Sequence, residues 1–221
     1  MEEEDRRAIA RIAAQHDQQR RAQAEIHASP FIALHSVLSP TERDELFASL
    51  LEMEPEFRSN EMGGRRGLVL HPAPLDIIVG RLQQLKAEIV TPFGFAPEDI
   101  ESPAVSDLAV SASGHGDFFG PHRDDTAPTR DPAVESRRVS VAFHLFKEPK
   151  RFSGGALRLH NYRIENGMAV AVPSFQAIDP EDNTLVAFLS STRHEVDTVR
   201  LENNHFADRR FSITGSFTQR T

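Results

Sequence analysis

Two short segments far apart in the chain hold the residues best suited to chemistry. In Phe118-Phe119-Gly120-Pro121-His122-Arg123-Asp124, an extended backbone alternates its side chains, so His122 and Asp124 are expected on one face and Arg123 and Asp125 on the other. His194, in His194-Glu195-Val196, would bring a second imidazole from a distant strand. Two imidazoles and one carboxylate on one face of a metal leave the opposite positions open, which is the ligand set of non-haem Fe(II) sites that work on oxygen. A His-x-Asp pair alone arises often by chance, and a single His or Asp is usually a surface or capping residue. Asp125 competes for the carboxylate role, but the alternation puts it on the wrong face.

The elements around these residues give the pair its context. After residue 105 the pattern takes on period two, with Leu108, Val110 and Ala112 alternating with more polar positions. Val139, Val141, Phe143 and Leu145 share one face of a strand, and Ser140, Ala142, His144 and Phe146 the other. Further strands are expected at 156–160, 168–172, 184–189 and 210–218, separated by turn-rich stretches such as Ser153-Gly154-Gly155 and 179–183. In the last strand Arg210, Ser212, Thr214 and Ser216 alternate with Phe211, Ile213 and Phe217. If the apolar side packs outward, Arg210 and Ser212 point inward beside the metal, where a buried guanidinium needs an anion.

The first half reads as support. Phe31-Ile32-Ala33-Leu34 is a short strand, and Ser39-Pro40-Thr41-Glu42 is a helix start with cap, N1 proline and N3 glutamate. That helix buries Leu46, Phe47, Leu50 and Leu51. A second, from Leu75, repeats Ile78, Leu82, Leu85 and Ile89 and ends before Pro92. Residues 57–70, with Gly63, Gly64 and Gly67, read as a basic loop, and residues 2–28 as a helical leader with a weak apolar face. Helices first and many short strands afterwards give an α+β, mainly β protein: a double-stranded β-helix, or jelly roll, backed by N-terminal helices. One domain is expected over 1–221, divided into leader (1–28), helical support (29–105) and catalytic core (106–218).

Composition narrows the chemistry further. The 221 residues contain no cysteine, so thiolate metal sites, disulfides and cysteine nucleophiles are excluded, and His, Asp and Glu are left as ligands. A formal charge of −8 argues against a grip on nucleic-acid phosphates. The acidic start Met1-Glu2-Glu3-Glu4-Asp5, with no long apolar run after it, is unlike a signal peptide or membrane span. The expectation is a cytoplasmic protein acting on a small molecule, without nucleic-acid or membrane partners; a homodimer is compatible with the sequence.

Taken together, 106–218 resembles the 2-oxoglutarate/Fe(II)-dependent oxygenases of the prolyl-4-hydroxylase-like type. The resemblance runs through His122-Arg123-Asp124, Phe152-Ser153-Gly154-Gly155-Ala156-Leu157-Arg158-Leu159, His194-Glu195-Val196 and Arg210-Phe211-Ser212-Ile213-Thr214. It implies a dioxygenase with Fe(II), 2-oxoglutarate and O2, in which His122, Asp124 and His194 ligate the metal. Arg210 and Ser212 would then take the distal carboxylate of 2-oxoglutarate. His144 stands where relatives place a tyrosine facing the co-substrate, so it either hydrogen-bonds that carboxylate or is a core histidine satisfied by a neighbour. A second tyrosine expected before His122 is absent, and Tyr162, the only tyrosine in the chain, reads as a structural residue in a loop. Asp124 argues against the related halogenases, which lack the carboxylate.

The stretches 146–155 and 206–211 are similar to bacterial hydroxylases of amino acids and N-substituted amino acids. The expected reaction is hydroxylation of an unactivated C–H bond with release of succinate and CO2, and Arg65, Arg66, Arg130 and Arg163 are the loop arginines available to hold a substrate carboxylate. Two alternatives stay open: a peptide or protein prolyl hydroxylase, and a different class altogether, either a cupin-like metalloenzyme without 2-oxoglutarate or a non-catalytic jelly-roll binding module.

Overall fold

The computed structural model describes residues 25–220 apart from 62–63, 72, 74 and 127–130. It opens with β1 (Phe31–His35) and α1 (Pro40–Glu52), followed by β2 (Arg58–Asn60), β3 (Arg65–Leu70), α2 (Asp76–Gln84), α3 (Lys86–Val90) and β4 (Ile100–Glu101). The expected capping box starts α1: the Glu42 amide donates to Ser39 Oγ at 3.3 Å and the Ser39 amide donates to Glu42 Oε2 at 2.7 Å. The second helix is divided, with Leu85 at the joint between α2 and α3. Its apolar positions Ile78, Leu82 and Ile89 are nonetheless buried.

The strand-rich part comprises β5 (Ala109–Ser113), β6 (Phe118–His122), the single-turn α4 (Pro132–Glu135), β7 (Arg137–Leu145), β8 (Phe152–Gly154), β9 (Leu157–Glu165), β10 (Met168–Ile178), β11 (Thr184–Leu189), β12 (His194–Val196), β13 (Val199–Leu201) and β14 (Arg210–Gln219). The chain divides into two compact units: residues up to Ser29 with His160–Gln176, and Pro30–Leu159 with Ala177–Thr221. In the smaller unit β9 and β10 form a hairpin turning at Asn166-Gly167, both at positive φ, which suits the twist of a two-residue hairpin turn. His27 makes an isolated antiparallel bridge to Tyr162, so this tyrosine lies on a strand rather than in the expected loop. The helix expected over 2–28 lies outside the described residues as far as residue 24, and 25–28 carry no helix.

The larger unit contains the jelly roll. Antiparallel neighbours run β1, β11, β7, β14, β5, β3 and then β6, β12 and the first residues of β9. β3 joins the two groups: Leu68 to Leu70 pair with β5, whereas Arg65 and Arg66 pair with Phe119 and Phe118 of β6. The stretch expected to be a loop over 57–70 is therefore largely a hairpin, in which β2 pairs with β3. Pairing with β6 holds these arginines where a solvated connection would not. Similarly, Ser153-Gly154 belongs to β8, paired with β13.

The period-two reading of β7 and β14 is the one the fold uses. Val139, Val141, Phe143 and Leu145 of β7, with Phe211, Ile213 and Phe217 of β14, join Leu46 and Leu50 of α1 and Ile78 and Leu82 of α2 in the main core. Phe211 is its hub, in edge-to-face contact with Phe47, Phe57 and Phe206 at centroid distances of 5.7, 6.3 and 5.2 Å. Helices cover one face of the sheet, so the opposite faces of β7, β14 and β5 turn toward β6 and β12 with their polar residues. No helix among the described residues is long and apolar enough to cross a membrane. Replacing Phe211 with Ala should cost about 3–5 kcal/mol in urea unfolding, because a cavity opens beneath the strand that carries Arg210 and Ser212.

Candidate metal and anion site

The central geometric fact is a cross-strand pair. β12 lies antiparallel to β6 with His194 directly opposite His122, which sets the two rings 4.2 Å apart between centroids. Each ring is oriented through its Nδ1, which meets the Gly120 carbonyl oxygen at 2.9 Å in His122 and the Thr192 carbonyl oxygen at 2.9 Å in His194. A carbonyl only accepts, so Nδ1 carries a proton in both rings, and each Nε2 is turned toward the Asp124 carboxylate. Phe119 stacks on His122 at 3.7 Å, and Phe188 packs edge-on to His194 at 4.7 Å.

Asp124 completes the group by a different route from the one its spacing implies. β6 ends at His122 and Asp124 lies in a turn, so strand alternation does not orient it. Its amide donates to the Ser190 carbonyl at 3.0 Å and Arg137 donates to its own carbonyl at 3.1 Å, which hold the turn against β7 and the end of β11. The carboxylate then lies with Oδ1 3.4 Å from His122 Nε2 and Oδ2 3.7 Å from His194 Nε2. The three ligand atoms all fall within 4.8 Å of one another. Burial pushes the Asp124 carboxyl upward, but hydrogen bonds from His122 and Ser140 and the proximity of both imidazoles outweigh it and hold the group at about 2. Two imidazole Nε2 atoms and an ionised carboxylate on one side of a cavity suit a divalent first-row metal, which would displace any Nε2 proton, and no thiolate competes.

Ser140 was on the polar face of β7 in the sequence pattern but was not singled out there. Its hydroxyl donates to Asp124 Oδ2 at 2.6 Å and also meets Ser190 Oγ at 2.9 Å and Ser216 Oγ at 3.4 Å. With its one proton given to Asp124, Ser140 accepts from the other two. The signal available in the sequence was its position four residues before His144 on one strand face.

An anion cradle faces the same cavity. Arg210 is buried to 2% and His144 to 1%. Ser212 is the cross-strand neighbour of His144 on one side and of Ser111 on the other. Arg210 donates to Ser212 Oγ at 3.2 Å and approaches His144 Nδ1 at 3.4 Å. A guanidinium only donates, so Nδ1 accepts and the neutral ring carries its proton on Nε2, a buried donor without a partner. Burial, followed by the Arg210 charge, holds His144 well below its ordinary value, and burial lowers Arg210 to about 10. Arg210 has no acidic partner among the described residues. Unpaired donors around a buried cation are what a carboxylate ligand would satisfy, so the residues fit the distal carboxylate of 2-oxoglutarate. The two readings of His144 thereby become distinguishable: one ring nitrogen is satisfied by Arg210, and the other is left open.

Gly155 makes the cradle sterically feasible. It sits at φ +71°, and a Cβ there would come 2.7 Å from Arg210 Cδ and 3.0 Å from Val199 Cγ2. The guanidinium stem passes over the second glycine of the Gly-Gly pair.

The cavity is lined by His122, Asp124 and His194 together with His144, Arg210 and Ser212, so metal group and anion cradle share one space. Arg65 and Arg66 also reach it. Arg163 pairs with Glu165 inside the hairpin unit, and Arg130 lies outside the described residues.

Comparison with known proteins agrees with this geometry. A sequence model of the 2OG-Fe(II) oxygenase superfamily matches residues 108–218. An uncharacterized PKHD-type hydroxylase of Synechocystis is 28% identical over 193 residues, which are 82% of this chain and 61% of that protein, so the chain spans about three fifths of that relative's length. Among solved structures, a Pseudomonas putida prolyl-4-hydroxylase aligns with a TM-score of 0.54 at 21% identity, covering 87% of this chain and 94% of the other. A Trichoplax adhaerens prolyl hydroxylase aligns with a TM-score of 0.56 at 18% identity, covering 86% and 83%. These two likenesses are of fold.

Two outcomes follow. Ser140→Ala should weaken anaerobic Fe(II) binding by about 10-fold or more, read by titration, because the metal carboxylate loses the donor that orients it. His144 has a folded value below the 6.5 of the unfolded chain, so its contribution to stability is present above that pH and is lost as pH falls. Between pH 7.5 and 5, stability of wild type should therefore fall more steeply than that of His144→Gln, by at most about 1.4 kcal/mol per pH unit, in denaturant melts at each pH.

Proposed function

Because this chain belongs to the 2OG-Fe(II) oxygenase superfamily, we propose that it is a hydroxylase that inserts oxygen into an unactivated C–H bond of a small molecule, an amino acid or a derivative of one. Family membership implies Fe(II), 2-oxoglutarate and O2 as the reactive components. Once bound, the iron supplies the oxidising chemistry that couples decarboxylation of 2-oxoglutarate to succinate and CO2 with hydroxylation of the substrate.

The chain's own residues do the rest. His122, Asp124 and His194 would hold the metal. Arg210, Ser212 and the Nε2–H of His144 receive the distal carboxylate of the co-substrate, which orients its other end toward the metal. Ala142, Leu157 and Phe188 give the cavity an apolar wall, which limits water around the reacting groups. Ser140 orients the carboxylate ligand, and Phe119 and Phe188 keep the imidazoles in place. The single observation that carries this reading is that the triad and a buried Arg210, with no carboxylate partner among the described residues, line the same cavity. A jelly-roll metalloenzyme without 2-oxoglutarate would account for the triad but leave Arg210 and His144 without an anion.

The test is anaerobic titration with Fe(II) and then 2-oxoglutarate, following the visible charge-transfer band of the chelate. Wild type should develop the band. Arg210→Ala should need roughly 100-fold more 2-oxoglutarate, as expected for loss of a buried charge-assisted pair, and Asp124→Ala should lose tight Fe(II) binding. Iron binding with no response to 2-oxoglutarate would remove this reading in favour of a metalloenzyme with another co-substrate.

A further inference from the structure

Two guanidiniums enter the cavity without an acidic partner among the described residues. Arg210 is one; Arg65 is the other. Arg65 lies opposite Phe119 in the β3–β6 ladder, with its guanidinium carbon 4.9 Å above the Phe119 ring. It donates to Ser111 Oγ. Both contacts are with neutral groups, so the charge is held in position without being compensated, and burial lowers the Arg65 pKa. The neighbouring Arg66 is in a different situation: it is largely exposed and faces Asp117 at 3.5 Å.

Formal charge distinguishes the two cavity cations. A divalent metal, the Asp124 carboxylate, Arg210 and a doubly charged 2-oxoglutarate cancel. Among the described residues Arg65 is then a half-buried positive charge at the site that no carboxylate faces, and a desolvated guanidinium is stabilised by a bidentate anion. Its position also places that anion close to the metal-ligating group. Phe119 stacks directly on the metal-side ring of His122 at 3.7 Å, so only one aromatic ring separates the guanidinium from a metal ligand. A molecule anchored on Arg65 therefore occupies the same cavity as the metal-ligating side chains.

We propose that Arg65 is the specificity-determining anchor of the substrate, binding its carboxylate, and that the substrate is a small carboxylic acid of amino-acid size. This rests on the oxygenase reading above. Ser111 and Phe119 act as positioning residues: the hydroxyl holds one edge of the guanidinium and the ring supports its plane, leaving the rest of the fork for a bidentate carboxylate. Arg65 and Arg210 bond to Ser111 and Ser212, which are cross-strand neighbours. The rival assignment is therefore that both cations grip 2-oxoglutarate.

The experiment uses the Fe(II)- and 2-oxoglutarate-loaded protein with a panel of the protein L-amino acids and their N-acetyl derivatives, each alongside its primary amide. Succinate release reports stimulation by substrate, and the anaerobic charge-transfer titration reports 2-oxoglutarate affinity without substrate. At least one acid should stimulate turnover where its amide does not. Arg65→Gln should raise the KM for that acid roughly 10- to 100-fold, abolish the preference for acid over amide, and leave 2-oxoglutarate affinity within about twofold of wild type. Arg65→Lys, which keeps the charge but not the fork, should recover part of the loss. Far-UV circular dichroism and the melting temperature of both variants check folding.

The proposal is overturned if acids and amides act alike, if no acid in the panel stimulates turnover, or if Arg65→Gln weakens 2-oxoglutarate binding as Arg210→Ala does. Failure of the oxygenase reading looks different: wild type itself would form no band. In that case saturation-transfer NMR of the acid and amide pairs on the metal-free protein still decides the matter. Acid-selective binding lost in Arg65→Gln upholds the anchor, and its absence rejects it.

Discussion

A guanidinium buried to 2%, with no carboxylate beside it among the described residues, sets the terms for the rest of this structure. An uncompensated charge removed from water costs several kcal/mol, and a protein tolerates it only with hydrogen bonds and a strong surrounding framework. Arg210 has both. Ser212 and His144 accept from it, Gly155 leaves room for its stem, and on the next position of the same strand Phe211 anchors β14 in the aromatic core. The large apolar face of β14 holds in place a polar face that would not be stable alone.

The same division of labour holds across the jelly roll. β7 contributes Val139, Phe143 and Leu145 to the core under the helices, Ala142 and His144 to the cavity and Ser140 to the Asp124 carboxylate. Alternation along a single strand thus serves stability on one side and chemistry on the other. Across the cavity, β6 and β12 contribute the imidazoles through one register pair, His122 with His194. A shift of one residue there would send one ring to the opposite face and dismantle the metal group. The neighbouring pairs Phe119 with Val196 and His194 with Leu159 set packing and register together.

Charge is distributed with comparable economy. His144 is neutral because it is buried next to Arg210, and that neutrality lets it accept from the guanidinium on one nitrogen while offering a proton on the other. Asp124 stays ionised because its hydrogen-bonding neighbours outweigh its burial. Two titratable groups in one cavity are driven to opposite charge states by their surroundings, as is common where chemistry is to be done.

The sequence by itself determined the mainly β fold, the capping box of α1 and the two-faced β7 and β14, and it marked His122, Asp124, His194, Arg210 and Ser212 as candidates that the fold then brings to one cavity. Each of these is a matter of local periodicity or residue type, which a linear pattern carries directly. Local geometry was read less well. The alternation argument chose Asp124 over Asp125 for a strand that ends at His122, and Asp124 reaches its partners from a turn held by Ser190 and Arg137. Residues 57–70 looked like a basic loop because glycines and arginines carry little periodicity, yet β3 is fixed by pairing with β5 and β6, partners distant in sequence. Only the tertiary structure separates the surroundings of Arg65 and Arg66, adjacent residues of one type: among the described residues Asp117 faces the second, while the first meets Ser111 and Phe119. Compensation of a charge depends on which side chains the fold brings within a few ångströms, and no local pattern encodes that.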